Sequence, residues 1–216
     1  MILFLDFDDT LLNTKRFNEE LSRYVSRTCD FAEDAFLKTR KMMKEAYPHI
    51  SGYYNFDKHT ELLSESSATD SNVIKQATFD FIVQNTSEHI FSDVPKFLQT
   101  HNKKHTCILL TMTFDESEYQ TRKITHSGIA DYFDDIIYTK GEQKSLIIKR
   151  YLRANKKSER AVFLDDRRDW LTDAVIENQG LHSTHMLRED RRHFEDSGEH
   201  TQVKDMNEFA QLLASF

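Results

Sequence analysis

Along this chain of 216 residues, short apolar bursts alternate with longer stretches in which apolar residues recur every three or four positions. The bursts are MILFL (1–5), TCILLT (106–111), DIIYT (135–139), AVFLD (161–165) and, more weakly, LHSTHML (181–187). Their apolarity is continuous rather than alternating, which is the pattern of strands covered on both faces, as in a parallel sheet. The intervening stretches SDVPKFLQTHNKK, DESEYQTRKITHSGIADYF, KSLIIKRYLRANKK and DWLTDAVIENQG have helical period, with Gly128 and Gly180 placed as helix stops. Such alternation predicts an α/β fold whose core is a Rossmann-like, doubly wound parallel sheet.

One long segment breaks that rhythm. From about Asn13 to about Ser87 only helix-like patterns occur, among them FNEELSRYVSRT, DAFLKTRKMMKEAY and SNVIKQATFDFIVQNTS, interrupted at YPHISGYYNFD by Pro48 and Gly52. This reads as an inserted α-helical cap domain over residues 14–87, with residues 1–13 and 88–216 forming the α/β core domain. The stretch REDRRHFEDSGEHT is polar and reads as a loop before a last helix around DMNEFAQLLASF.

Composition narrows the classes. The run Met1 to Leu5 is far short of a signal-peptide apolar region, so a soluble, cytoplasmic protein with no membrane partner is expected. Cys29 and Cys107 lack metal-type spacing and are expected as reduced thiols. A net charge of -7, from 36 acidic against 29 basic residues, argues against a nucleic-acid polymer as partner. The basic clusters RKMMK (40–44) and Lys156–Lys157 fall in or at the end of helical patterns, where a solvated face is the plain reading.

Chemistry collects where the bursts end. MILFL runs into Asp6, Asp8 and Asp9. In an extended chain Asp6 and Asp8 project to one side, and two carboxylates in one small volume call for a cation; hard cations such as Mg²⁺ take carboxylate oxygens. An ordinary polar turn or helix cap at Asp8, Asp9 and Thr10 is the alternative. TCILLT ends in Thr111, followed by Met112 and Thr113; AVFLD ends in Asp165, followed by Asp166 and Asp169; DIIYT is followed by Lys140 and Lys144. In a parallel sheet all these groups gather at one rim, where α/β folds bind ligands.

Taken in order, DFDDTLL, a strand-end Thr, a Lys and LDDRRD resemble the haloacid dehalogenase superfamily of aspartate-dependent phosphotransferases. The match spans the chain by motif order, and the helical insertion resembles that superfamily's small cap domain. Met112 and Thr113 stand where Asn-Gly is frequent, and Lys144 lacks a following proline, so Lys140 and Lys144 both stay open, with Lys144 favoured.

The resemblance implies a Mg²⁺-dependent phosphatase acting on a small phosphorylated metabolite. Asp6 would be the nucleophile and form an aspartyl-phosphate, Asp8 the general acid and base, and Lys144 the neutralising cation. Thr111 and Met112 would bind the phosphoryl group; Asp6, Asp8 (by its carbonyl), Asp165 and Asp166 would hold Mg²⁺; Asp169 would steady the metal's waters or the lysine. Tyr53 and Tyr54, in ISGYYNFDKH, are candidates to stack on a substrate ring, with Phe56 beside them and Lys58 or His59 to meet a second anion. A phosphomutase, a dehalogenase or a non-catalytic phosphate-binding regulator on the same fold are the rival expectations.

Overall fold

The computed structural model describes residues 1–46, 54–114, 117–155, 160–189 and 199–216. Pro48, Gly52, Tyr53, Lys156, Lys157 and most of the polar stretch after Glu189 lie outside the described residues. The chain divides into two compact units: one of residues 1–13, 90–112 and 129–216, the other of residues 14–89 and 113–128.

The first unit holds a six-stranded parallel sheet made of β1 (Ile2–Leu5), β2 (Thr106–Thr111), β3 (Asp135–Tyr138), β4 (Ala161–Asp165), β5 (His182–Met186) and β6 (Thr201–Val203). Their order across the sheet is β3-β2-β1-β4-β5-β6. The first strand is therefore central, paired with β2 (Leu5 opposite Leu109) and with β4 (Leu5 opposite Leu164). Both neighbours are parallel to it, so the carboxyl ends of β2, β1 and β4 lie side by side.

Burial explains why these strands read as unbroken apolar runs. On one face Ile2, Phe4, Ile108, Leu110 and Phe163 pack with Ile147, Ile148, Trp170, Leu171 and Ala174. The alternate residues Leu3, Leu5, Leu109, Val162 and Leu164 are equally buried, so both faces of the sheet are covered. The unit's helices are α5 (Val94–His101), α7 (Lys144–Asn155), α8 (Arg168–Glu177) and α9 (Met206–Ala214), the last capped by Asp205, whose side chain accepts from the amides of Asn207 and Glu208. Phe97 and Phe209 join α5 to α9 at 5.5 Å between ring centroids.

The second unit is helical among its described residues: α1 (Thr14–Thr28), α2 (Ala35–Ala46), α3 (Phe56–Ser67), α4 (Ser71–Asn85) and α6 (Glu118–Thr125). Asn55 caps α3 and Asp70 caps α4, while Ala68 closes α3 in the left-handed region. Its core is built on Phe17, Leu21, Val25, Phe36, Leu63, Ile74, Phe81 and Ile82.

Two sequence expectations need correction. The stretch 113–128 was expected in the core domain, but it groups with the helical unit, because Tyr119 of α6 stacks on Phe56 (5.0 Å) and Arg122 lies over Phe79 (4.3 Å). The polar tail was expected to reach the last helix as loop, yet Thr201–Val203 adds a sixth strand beside β5. Only Val203 of its three residues is buried, so an edge strand of this kind carries almost no apolar signal.

Phe4 is fully buried in the central strand and meets Tyr151 edge-on at 5.5 Å. Phe4→Ala is expected to cost about 3–5 kcal/mol in urea unfolding; a loss under about 1 kcal/mol would show that the two-faced core does not depend on it.

Candidate active site

The site grows from the end of β1. Four buried apolar residues fix the strand, and the Asp6 amide extends the ladder by donating to the Leu164 carbonyl (3.0 Å). The chain then turns at once: the amides of Leu11 and Leu12 both donate to the Phe7 carbonyl (2.9 Å each), and that of Asp9 to the Leu12 carbonyl (3.0 Å). Asp9 sits at φ 60°, a left-handed conformation that aspartate tolerates better than most residues. Asp8 is thereby held in a closed turn two residues beyond Asp6, and Leu12 bridges onward to Ile90.

Lys144, the first residue of α7, brings the strand ends together. It is 2% exposed, and its Nζ donates to Asp6 Oδ1 (2.5 Å) and to Asp165 Oδ2 (2.7 Å), joining the ends of β1 and β4. Burial opposes its charge, but Asp165 and Asp6 together outweigh that and hold the ammonium above its ordinary pKa. Lys140, the competing lysine, is exposed in the turn before α7 at φ 49°. The aliphatic and aromatic floor beneath Lys144 includes Phe163 and Trp170, each under 6 Å from its Nζ to ring centroid (5.7 and 5.8 Å).

Asp6, Asp165 and Asp166 each offer a carboxylate oxygen within 4.8 Å of the others, and all three are buried. Burial pushes the Asp6 carboxyl up to about 7 against the pull of Lys144, and Asp165 adds to the rise. Oxygen-only donors from carboxylates, with no His or Cys in the group, fit a hard divalent cation such as Mg²⁺. Thr111 and Met112 lie at the end of β2, two and three residues past the partner of Leu5. The Thr111 carbonyl accepts from the Thr139 amide (3.1 Å), and Thr139 Oγ1 donates to Met112 Sδ (3.2 Å), which fixes this rim segment to the end of β3.

The other expected residues have partners of their own. Asp169 pairs with the Arg167 guanidinium, and Arg167 itself is bound through its amide to Asp165 Oδ1 (2.8 Å). Tyr54 is half-buried in the helical unit, 5.4 Å from Tyr119 and under Arg40 at 4.2 Å. The carbonyl of Phe36 can only accept, so Nε2 of the buried His59 carries the proton and Tyr54 donates its hydroxyl to Nδ1 (3.0 Å). Burial also pushes His59 down to about 3, and with no exposed surface and both ring nitrogens hydrogen-bonded within its own unit it has no atom left to meet a second anion. Lys58 pairs with Glu61 (3.1 Å) on the exposed face of α3.

Two residues of the α/β unit escaped the sequence reading. His185, buried in β5, hydrogen-bonds the Asp166 carbonyl through Nε2 (2.9 Å), and Arg188, just past β5, binds the Thr10 carbonyl. The available signal was a histidine inside a strand otherwise destined for burial, and an arginine immediately after a strand end at the rim.

Solved structures share this architecture. Among solved structures, the chain is similar to a 2-haloacid dehalogenase from Pseudomonas syringae pv. Tomato DC3000 (17% identity, 100% of this chain and 99% of that one, TM-score 0.68). It is also similar to YfnB from Bacillus subtilis, a provisionally assigned HAD-hydrolase bound to magnesium (14% identity, 98% and 97%, TM-score 0.70). A third is a Thermotoga maritima protein provisionally assigned as β-phosphoglucomutase (14% identity, 100% and 99%, TM-score 0.65). No protein of curated function matches the sequence.

Asp6 gives the cluster a measurable pH signature. Its folded pKa of about 7 exceeds the ordinary aspartate value of 3.8, so the folded state binds the extra proton, and stability without metal falls as pH rises from about 4 to about 7. Denaturation in chelator should show this slope in wild type and a flatter one in Asp6→Asn, while added Mg²⁺ should stabilise most at the alkaline end, where its ligands are ionised. Identical slopes in the two proteins would remove Asp6 from the coupled group.

The haloacid dehalogenase-like hydrolase family model matches residues 2–172, which take in the Asp6 strand, Thr111, Lys144 and the paired acids Asp165 and Asp166, and the chain belongs to that family.

Proposed function

We propose that this protein is a Mg²⁺-dependent phosphatase that hydrolyses a small phosphorylated metabolite through an aspartyl-phosphate on Asp6. The observation that carries this reading is the bridge from Lys144 Nζ to Asp6 and Asp165, inside the buried three-carboxylate group and two residues before Asp8.

Asp6 attacks the phosphorus as a carboxylate, and the ammonium of Lys144, 2.5 Å away, favours that ionised form. The bond from phosphorus to the ester oxygen breaks, and Asp8 gives its proton to the departing alkoxide. Asp8 then takes a proton from the water that attacks the aspartyl-phosphate and releases inorganic phosphate. Thr111, with Met112 beside it, orients the phosphoryl oxygens at the end of β2. Asp6, the Asp8 carbonyl and Asp166 would hold Mg²⁺. Both Asp165 oxygens already accept hydrogen bonds, one from Lys144 and one from the Arg167 amide, which suits Asp165 to anchoring the lysine and Asp166 to direct ligation. When bound, the ion supplies positive charge that screens the nucleophile from an anionic ester and stabilises charge on the transferring group.

Asp8 separates this reading from haloacid dehalogenation. A departing halide needs no proton, whereas an alkoxide does, and an acid two residues after the nucleophile is placed for that task.

The test is phosphate release from a panel of nucleotides, sugar phosphates and small phospho-acids with Mg²⁺. Wild type is expected to release phosphate, Asp6→Asn none, and Asp8→Asn about a hundredfold more slowly or worse. Wild-type rates in Asp6→Asn would remove it as nucleophile, and isomerised sugar phosphate in place of free phosphate would identify a mutase.

A further inference from the structure

Arg188 is a buried arginine with no place in the chemistry above. It is 5% exposed and lies two residues beyond the end of β5. Its Nε and Nη2 both donate to the Thr10 carbonyl (3.1 and 3.0 Å), and its Nη1 donates to Asp93 Oδ2 (2.7 Å). That same Asp93 oxygen accepts the Met206 amide at the start of α9 (2.6 Å). The guanidinium lies over the Phe91 ring at 4.1 Å, and the Phe91 amide donates to the Leu11 carbonyl (3.0 Å).

Residues 91, 93 and 188 thus form a cradle around Thr10 and Leu11, the outer limb of the turn that carries Asp8. Thr10 is fully buried and its hydroxyl has no partner among the described residues, so the hold on this residue runs through its backbone carbonyl. A guanidinium suits the task because its rigid fork satisfies one carbonyl and one carboxylate at once, which a lysine's single ammonium cannot reproduce with the same geometry.

Resting on the phosphatase reading, we propose that Arg188 is a positioning residue for the acid step: anchored on Asp93, it fixes the Thr10 carbonyl and so sets where Asp8 stands relative to the leaving oxygen. The consequence is selective. An ester whose leaving group is a poor one depends on a well-placed acid, whereas p-nitrophenolate departs with little help. Misplacement of a catalytic group by about 1 Å costs up to about a hundredfold.

The experiment compares wild type, Arg188→Gln and Arg188→Lys by kcat on an alkyl phosphate and on p-nitrophenyl phosphate, together with hydrogen exchange at the Asp9, Leu11 and Leu12 amides. Both variants are expected to lose about tenfold more on the alkyl ester than on the aryl ester. Exchange should quicken at the three turn amides and stay unchanged at Phe4 and Phe163. Equal losses on the two esters, or quickened exchange across the whole sheet, would reduce Arg188 to a general stabilising role and overturn the proposal. Unchanged exchange at the turn would overturn it as well. Wild type inactive on both esters would instead sink the phosphatase reading, and the exchange pattern would still decide whether Arg188 holds the turn.

Discussion

Everything at the rim depends on one buried ammonium between two buried carboxylates. Without Lys144, the ends of β1 and β4 would set two largely desolvated carboxylates, Asp6 and Asp165, against each other, where like charges repel strongly. With it, the strands can end side by side in acids. The contact joins residues 138 positions apart, so it forms only once the parallel sheet has brought β1, β4 and the start of α7 into register. The same constraint keeps Asp6 poised between protonated and ionised forms, since burial raises its pKa and Lys144 lowers it.

Rigidity reaches the acids through backbone carbonyls as much as through side chains. The Asp6 amide is tied to Leu164, the Asp166 carbonyl to His185 and the Thr10 carbonyl to Arg188. Two of these three ties start from β5 or just beyond it. That strand supplies no residue to the proposed chemistry, yet its end steadies the loops on which Asp8 and the acids proposed to hold metal ride. A reacting carboxylate must hold its geometry within about half an ångström, and packed strands with hydrogen-bonded turns provide that where free loops do not.

Much of this was legible because the signal was periodic or clustered. Continuous apolar bursts marked β1, β2 and β4 for the same reason that both sheet faces are covered there, and acids at the ends of two of those bursts marked the rim. The sequence favours Lys144 over Lys140 without supplying the physical reason, which is that the start of α7 puts the Lys144 Nζ beside Asp6. The sixth strand was hidden because two of its three residues are exposed and only Val203 is buried. Membership of α6 in the helical unit was hidden because it depends on Tyr119 meeting Phe56, residues far apart in sequence. Arg188 was read as one more charge in a polar tail; its burial follows from partners at Thr10 and Asp93 that sequence spacing does not reveal.

The most direct measurement is to quench turnover of a radiolabelled phosphomonoester in acid, reduce the protein with borohydride and locate the modified residue by peptide mass spectrometry. Label on the protein during turnover, with Asp6 converted to homoserine, is the predicted result. Turnover with no covalent label, or with label on another residue, would contradict the assignment of Asp6 as the nucleophile.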